Sequence, residues 1–132
     1  MDDAYELFRR GTELLEAGHN HQATIPLSRA RDLAPDKTSV REALGRALFH
    51  TQHYEQAAAE FRAVIERAPT NDFALFCLGR SLQMLGRHAE ARKPLAQAAA
   101  MAPARRDYRR YRDRAARDAV RASGAKRPAA EP

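Results

Sequence analysis

Apolar and small side chains return along this chain at a fixed step of 34 residues. Leu14, Leu48 and Leu82 form one series, and the larger Leu27, Phe61 and Leu95 form a second. Small residues keep the step as Gly11, Gly45, Gly79 and as Ala23, Ala57, Ala91, and so do Pro35, Pro69 and Pro103. A period of this length marks an array of small stacked units. Each series has a physical reason in a pair of antiparallel helices packed closely. A mid-helix glycine costs about 1 kcal/mol in helix propensity, which is tolerable where the missing side chain lets a second helix approach. The alanines face the glycines, and each proline follows the apolar run of a second helix and stops it, because it lacks the N–H a helix interior requires.

The pattern predicts first helices near residues 4–17, 38–51 and 72–85 and second helices near 21–34, 55–68 and 89–102. Turns contain Gly18-His19-Asn20, Gln52-His53-Tyr54 and Gly86-Arg87-His88. Asp36 or Ser39, and Asn71 or Asp72, are the candidate N-caps, and Ser39 with Glu42 fits a capping box. Pro26 and Pro94 fall inside second helices at equivalent places, where a recurrent kink is expected. Residues 104–122 read as a seventh helix with Tyr108, Tyr111, Ala115, Ala119 and Ala122 on one core-facing side. Residues 1–122 form a single domain on this reading, and 123–132 a disordered tail poor in large apolar side chains.

Composition strengthens the helical reading: tryptophan is absent, and glycine and proline number 6 and 7 in 132 residues. An all-α protein follows. The start, Met1-Asp2-Asp3, is acidic without a basic or apolar leader, and no stretch nears the roughly 20 apolar residues of a membrane span. The expected address is cytoplasmic, and the single cysteine, Cys77, agrees with a reducing compartment. The net charge of +6 is local. Residues 1–103 carry 13 basic and 13 acidic side chains, and 104–132 carry 10 and 4.

In its period, small residues and terminal prolines, the chain resembles the tetratricopeptide-repeat (TPR) family over residues 4–103. The units are 4–37, 38–71 and 72–105, and residues 104–122 serve as a C-terminal capping helix. The family's usual tryptophan is replaced by Leu7, Arg41 and Leu75, which is expected to weaken the packing of the second unit most. The resemblance implies an α-solenoid whose first helices line a concave groove, so the function lies in what those helices display.

By that resemblance the partner-binding groove comprises Tyr5, Phe8, Arg9, Thr12, Arg46, Phe49, Phe73, Phe76, Arg80 and Met84. Phe8, Phe49, Phe73 and Phe76 make an aromatic floor, and Arg46 and Arg80, one repeat apart, stand ready for a partner's carboxylate. Phe49 and Phe76 have an alternative role as core residues between repeats. Family members that grip a chaperone's carboxyl terminus use lysine, asparagine and arginine where this chain has Phe8, Thr12, Ala43, Phe73 and Cys77, so that clamp is absent. The expected ligand is an apolar or amphipathic peptide segment with acidic groups.

Nothing resembles a catalytic set, cofactor loop or metal site. Cys77 has no committed base, and His19, His21, His50 and His53 occur only as pairs near turns. The expected function is a non-catalytic protein-interaction adaptor. Two alternatives stay open: a self-associating structural module, and a nucleic-acid-associated protein using Arg105, Arg106, Arg109, Arg110, Arg114, Arg117 and Arg121, disfavoured because no nucleic-acid-reading motif accompanies them.

Overall fold

The computed structural model describes residues 3–124, and all its regular structure is helical. The helices are α1 (Ala4–Glu16), α2 (Asn20–Leu33), α3 (Thr38–His50), α4 (Tyr54–Arg67), α5 (Asp72–Met84), α6 (His88–Met101) and α7 (Arg106–Gly124). They pack as three antiparallel hairpins, α1–α2, α3–α4 and α5–α6, with α7 laid on the last. Adjacent first helices touch, α1 with α3, α3 with α5 and α5 with α7, whereas no Cα of α2 lies within 8 Å of α4, nor of α4 within 8 Å of α6. The stack therefore curves, with its first helices on the inside.

The glycine series sets how closely each hairpin closes. A Cβ added to Gly11 would sit 2.4 Å from Leu27 Cγ, one on Gly45 2.8 Å from the Phe61 ring, and one on Gly79 2.4 Å from Leu95 Cγ. Leu27, Phe61 and Leu95 are completely buried as a result. Each contributes about 1.5–3 kcal/mol by burial.

All three hairpin turns close in the same way. His19, His53 and Arg87 donate their N–H groups to the carbonyls of Leu14, Leu48 and Leu82, and the residue before each donates to Leu15, Phe49 and Gln83. That double bond requires a left-handed residue, supplied by Gly18 (φ 84°), Gly86 (φ 76°) and, in the middle turn, Gln52 (φ 67°).

Several expectations need correction. The α3 cap is neither Asp36 nor Ser39 but the backbone of Lys37, and no capping box forms. Asp36 instead accepts from Arg67 at 2.6 Å, and Glu42 accepts from Asn71 Nδ2 at 3.2 Å, so partners from neighbouring helices draw both carboxylates away. Asn71 does cap α5, accepting the N–H of Ala74. Pro26 and Pro94, where a kink is expected, lie buried within the helical spans of α2 and α6. The seventh helix begins at Arg106, after a turn at Pro103–Ala104, and includes Ser123 and Gly124, since its Ala- and Arg-rich run continues without a breaker. The rest of the expected tail, 125–132, lies outside the described residues. On α7 only Tyr108 and Ala115 are buried; Ala119 is half-exposed and Ala122 exposed, while Tyr111, partly buried, packs against the core as expected.

The second unit, expected to pack worst, has its own solution. Arg41 takes the place of the buried Leu7 and Leu75, and Glu60 takes the place of the buried Pro26 and Pro94. Arg41 donates to Glu60 at 3.0 Å and to the Pro35 carbonyl at 2.7 Å, and Arg31 reaches the other Glu60 oxygen at 2.7 Å. Glu60 is 6% exposed and carries two arginines. Desolvation of this carboxylate is offset by charge-assisted hydrogen bonds that join α2, α3 and α4.

The 34-residue step runs on into α7. Arg109 repeats the Arg41 contact by donating to the Pro103 carbonyl. Where the glycine series would continue, α7 carries Asp113, exposed and paired with Arg112 at 3.0 Å.

Candidate functional site

The inner face holds two depressions. The first, about 230 Å3, lies between α1 and α3 and is lined by Ala4, Tyr5, Phe8, Lys37, Ser39 and Val40. The second, about 210 Å3, lies between α3 and α5 and is lined by Arg46, Phe49, His50, Phe61, Phe73, Phe76, Cys77 and Arg80. Of the expected groove residues, Tyr5 and Phe8 fall in the first and Arg46, Phe49, Phe73, Phe76 and Arg80 in the second. Arg9, Thr12 and Met84 line neither. Arg9 pairs with Glu6 and Glu13, Thr12 donates to the Arg9 carbonyl, and Met84 lies 3.9 Å by its sulfur from Arg80.

The aromatic floor is half core and half surface. Phe49 packs edge-on to Tyr54, with ring centres 5.2 Å apart, and Phe76 stacks on Tyr108 at 4.5 Å while remaining partly open to the groove. Phe49 and Phe76 thus pack against the core and also line the second depression. Tyr108 is fully buried and donates its hydroxyl to Asp72 at 3.0 Å. Burial first, then that bond, pushes its phenol up to about 12.

Two residues of α7 stand beside Arg80 at the edge of the second depression, though neither lines it. Tyr111 lies with its ring 3.9 Å from the Arg80 guanidinium and 5.3 Å from that of Arg114, and its carbonyl accepts from Gln83. Arg114 continues the step that separates Arg46 from Arg80, a signal present in the sequence.

Charge on this face is uneven. Away from the second depression, Arg9, Arg31, Arg41, Arg67, Arg87, Arg105 and Arg112 each pair with a carboxylate. The hydrogen-bonded carboxylates raise Arg9, Arg31, Arg87 and Arg105 above the ordinary guanidinium value. Arg80 moves the other way, lowered by burial and by the neighbouring charge of Arg114. Its partners are a glutamine oxygen, a thioether and aromatic rings. Burial, then Glu42, pushes the Cys77 thiol up to about 12, against the opposing pull of Arg46 and Arg80. Such a thiol is an inert wall. Among the described residues no three metal-binding side chains converge, and no helix is long and apolar enough to cross a membrane.

Two family models, both described as Tetratricopeptide repeat, match this chain at residues 8–72 and 60–93. A curated relative, Superkiller complex protein 3 of Mus musculus, is 32% identical over 83 residues, 63% of this chain. The chain spans 5% of that protein's length. Among solved structures, a MamA D159K mutant superposes with a TM-score of 0.83 at 26% identity, covering 95% of this chain and 73% of that one. The first TPR of Spaghetti (RPAP3), bound to HSP90 peptide SRMEEVD, gives 0.83 at 14% identity, covering 89% and 94%. YrrB, described as a TPR protein with an unusual peptide-binding site, gives 0.74 at 24% identity, covering 78% and 53%. At those identities the last two show likeness of fold alone.

Proposed function

The chain belongs to the tetratricopeptide-repeat family, and from that premise we propose that it is a non-catalytic adaptor holding a peptide segment of a partner protein on the inner face of its first helices. The observation that carries this reading is the depression between α3 and α5. It is floored by Phe49, Phe61, Phe73, Phe76 and Cys77 and edged by Arg46 and Arg80. An apolar side chain of the partner fills the floor, and an acidic group beside it meets an arginine. Two proteins of the same fold carry peptide binding in their descriptions, which supports the general mode. The ligand chemistry differs from that of the chaperone clamp, because Phe8, Thr12, Ala43, Phe73 and Cys77 stand in the clamp's positions. A cytoplasmic address belongs to the same proposal.

Self-association is the second reading, favoured by Ile25 and Leu33 on α2, 64% and 61% exposed. The nucleic-acid reading is weaker. Of its seven arginines, Arg105 and Arg109 are already engaged by Asp107 and the Pro103 carbonyl, and no nucleic-acid-reading motif accompanies the others.

The test is affinity capture from the source cell's lysate with the native chain and with a Phe73→Glu, Arg80→Glu variant of unchanged helical melt. Loss of a captured protein in the variant is expected. Capture of the same proteins by both, or of none by either, overturns the groove, and a mass that rises with concentration supports self-association.

A further inference from the structure

Arg46, Arg80 and Arg114 occupy one position of the 34-residue repeat on α3, α5 and α7, three successive helices of the inner face. Geometry links them in sequence: Arg46 and Arg80 line the same depression, and Arg80 and Arg114 both lie over the Tyr111 ring. Among the described residues none of the three forms an ion pair within 4.0 Å, whereas Arg9, Arg31, Arg67 and Arg87 do. The nearby carboxylates are otherwise committed: Glu42 accepts from Asn71, Asp107 pairs with Arg105, and Asp113 pairs with Arg112. In the first unit the corresponding position is Thr12, beside the internally neutralised Arg9. The line of arginines without a carboxylate partner thus begins at α3 and ends on the capping helix.

Resting on the adaptor reading above, we infer that the groove extends onto α7 and takes an extended acidic segment whose carboxylates recur every third residue, one each for Arg46, Arg80 and Arg114. The spacing follows from geometry. Packed helices lie about 8–10 Å apart, and an extended chain in the polyproline II form advances about 3.1 Å per residue with three residues per turn, so every third side chain returns to the same side and meets the next first helix. An apolar residue between two carboxylates drops into the floor formed by Phe49, Phe73 and Phe76. The guanidiniums are held ready: Arg80 lies over Tyr111 at 3.9 Å and reaches the Phe49 ring at 6.0 Å, and Arg114 lies over Tyr111 at 5.3 Å. Single-stranded nucleic acid fits less well, because it needs open aromatic faces for its bases and Tyr111 is covered by two arginines.

The experiment is fluorescence anisotropy with a labelled synthetic peptide bearing glutamate at every third position with leucine and serine between. An isomer with its glutamates grouped together and a labelled oligo-dT strand serve as comparison probes. Each is titrated with the full chain and with Arg114→Glu, Arg114→Gln, Arg121→Glu and Phe73→Glu, all checked for an unchanged thermal melt. The spaced peptide is expected to bind at least about tenfold more tightly than its isomer. It should lose about tenfold with either Arg114 change and little with Arg121→Glu, which alters an exposed arginine of the same helix. Binding that Phe73→Glu abolishes, but that ignores glutamate spacing or treats Arg114 and Arg121 alike, keeps the adaptor and overturns the inference. No peptide binding, or binding indifferent to Phe73→Glu, overturns both. Preference for oligo-dT overturns the inference in favour of nucleic acid.

Discussion

Arg41 shows how a single side chain misleads when read apart from its partner. In place of the buried Leu7 and Leu75 it predicts a weak second unit, yet Glu60 changes at the matching position and the two bond across α3 and α4. The clue lay in the same step, Pro26, Glu60, Pro94, but its meaning needed the three-dimensional neighbourhood. Glu60→Ala is expected to destabilise by about 3 kcal/mol, because it leaves Arg31 and Arg41 without their shared carboxylate. Arg41→Leu added to Glu60→Ala should cost less than the separate losses combined, a coupling that urea denaturation of the four-member mutant cycle will read. Additive losses would mean that the pair contributes nothing as a pair.

The helices as elements were legible because their boundaries rest on local chemistry: three prolines, two turn glycines and a glycine opposite each large apolar residue. Gln52 was harder, since only register with Gly18 and Gly86 reveals a left-handed residue there. Caps were legible where the side chain had no better offer, as at Asn71, and illegible at α3, where Arg67 and Asn71 outbid the local N–H groups for Asp36 and Glu42. Helix α7 was placed as a cap, but the sequence could not say that its tyrosines differ, Tyr108 fully buried and Tyr111 packed on the core while lying beneath Arg80 and Arg114. The Tyr108–Asp72 bond, joining α7 to α5, carries a pH signature. The folded phenol titrates near 12 against an ordinary 10.0, so the folded state holds its proton more tightly. Its contribution is complete below pH 10 and is lost as pH rises through about 12. Tyr108→Phe should therefore be less stable at neutral pH by about 1 kcal/mol and show a shallower fall in melting temperature across that alkaline window. An equally steep fall in both proteins would refute the assignment.

At the scale of the whole molecule, curvature and stability have the same source, contacts between neighbours only. Removing residues 106–132 uncovers Leu75, Phe76, Ala98 and Ala99, which pack with Tyr108 in one cluster. Thermal unfolding of that truncated chain should fall by about 10 °C or more, with dye binding to the bared face, and an unchanged melt would show that α7 is an ornament on a self-sufficient stack. What the groove receives was less legible than the fold, because a periodic scaffold states where a ligand lies and leaves its chemistry to a few side chains.

Asp113 gives α7 the character of a chain stopper in the sense a polymer chemist would use. Every hairpin closes because a first helix offers a glycine-sized notch to the helix that follows, and α7 fills the notch with a hydrated carboxylate. A further hairpin laid down by the same rule would press a large apolar side chain into a charge. That one residue sets α7 apart from α1, α3 and α5, whose glycines admit the helix that follows.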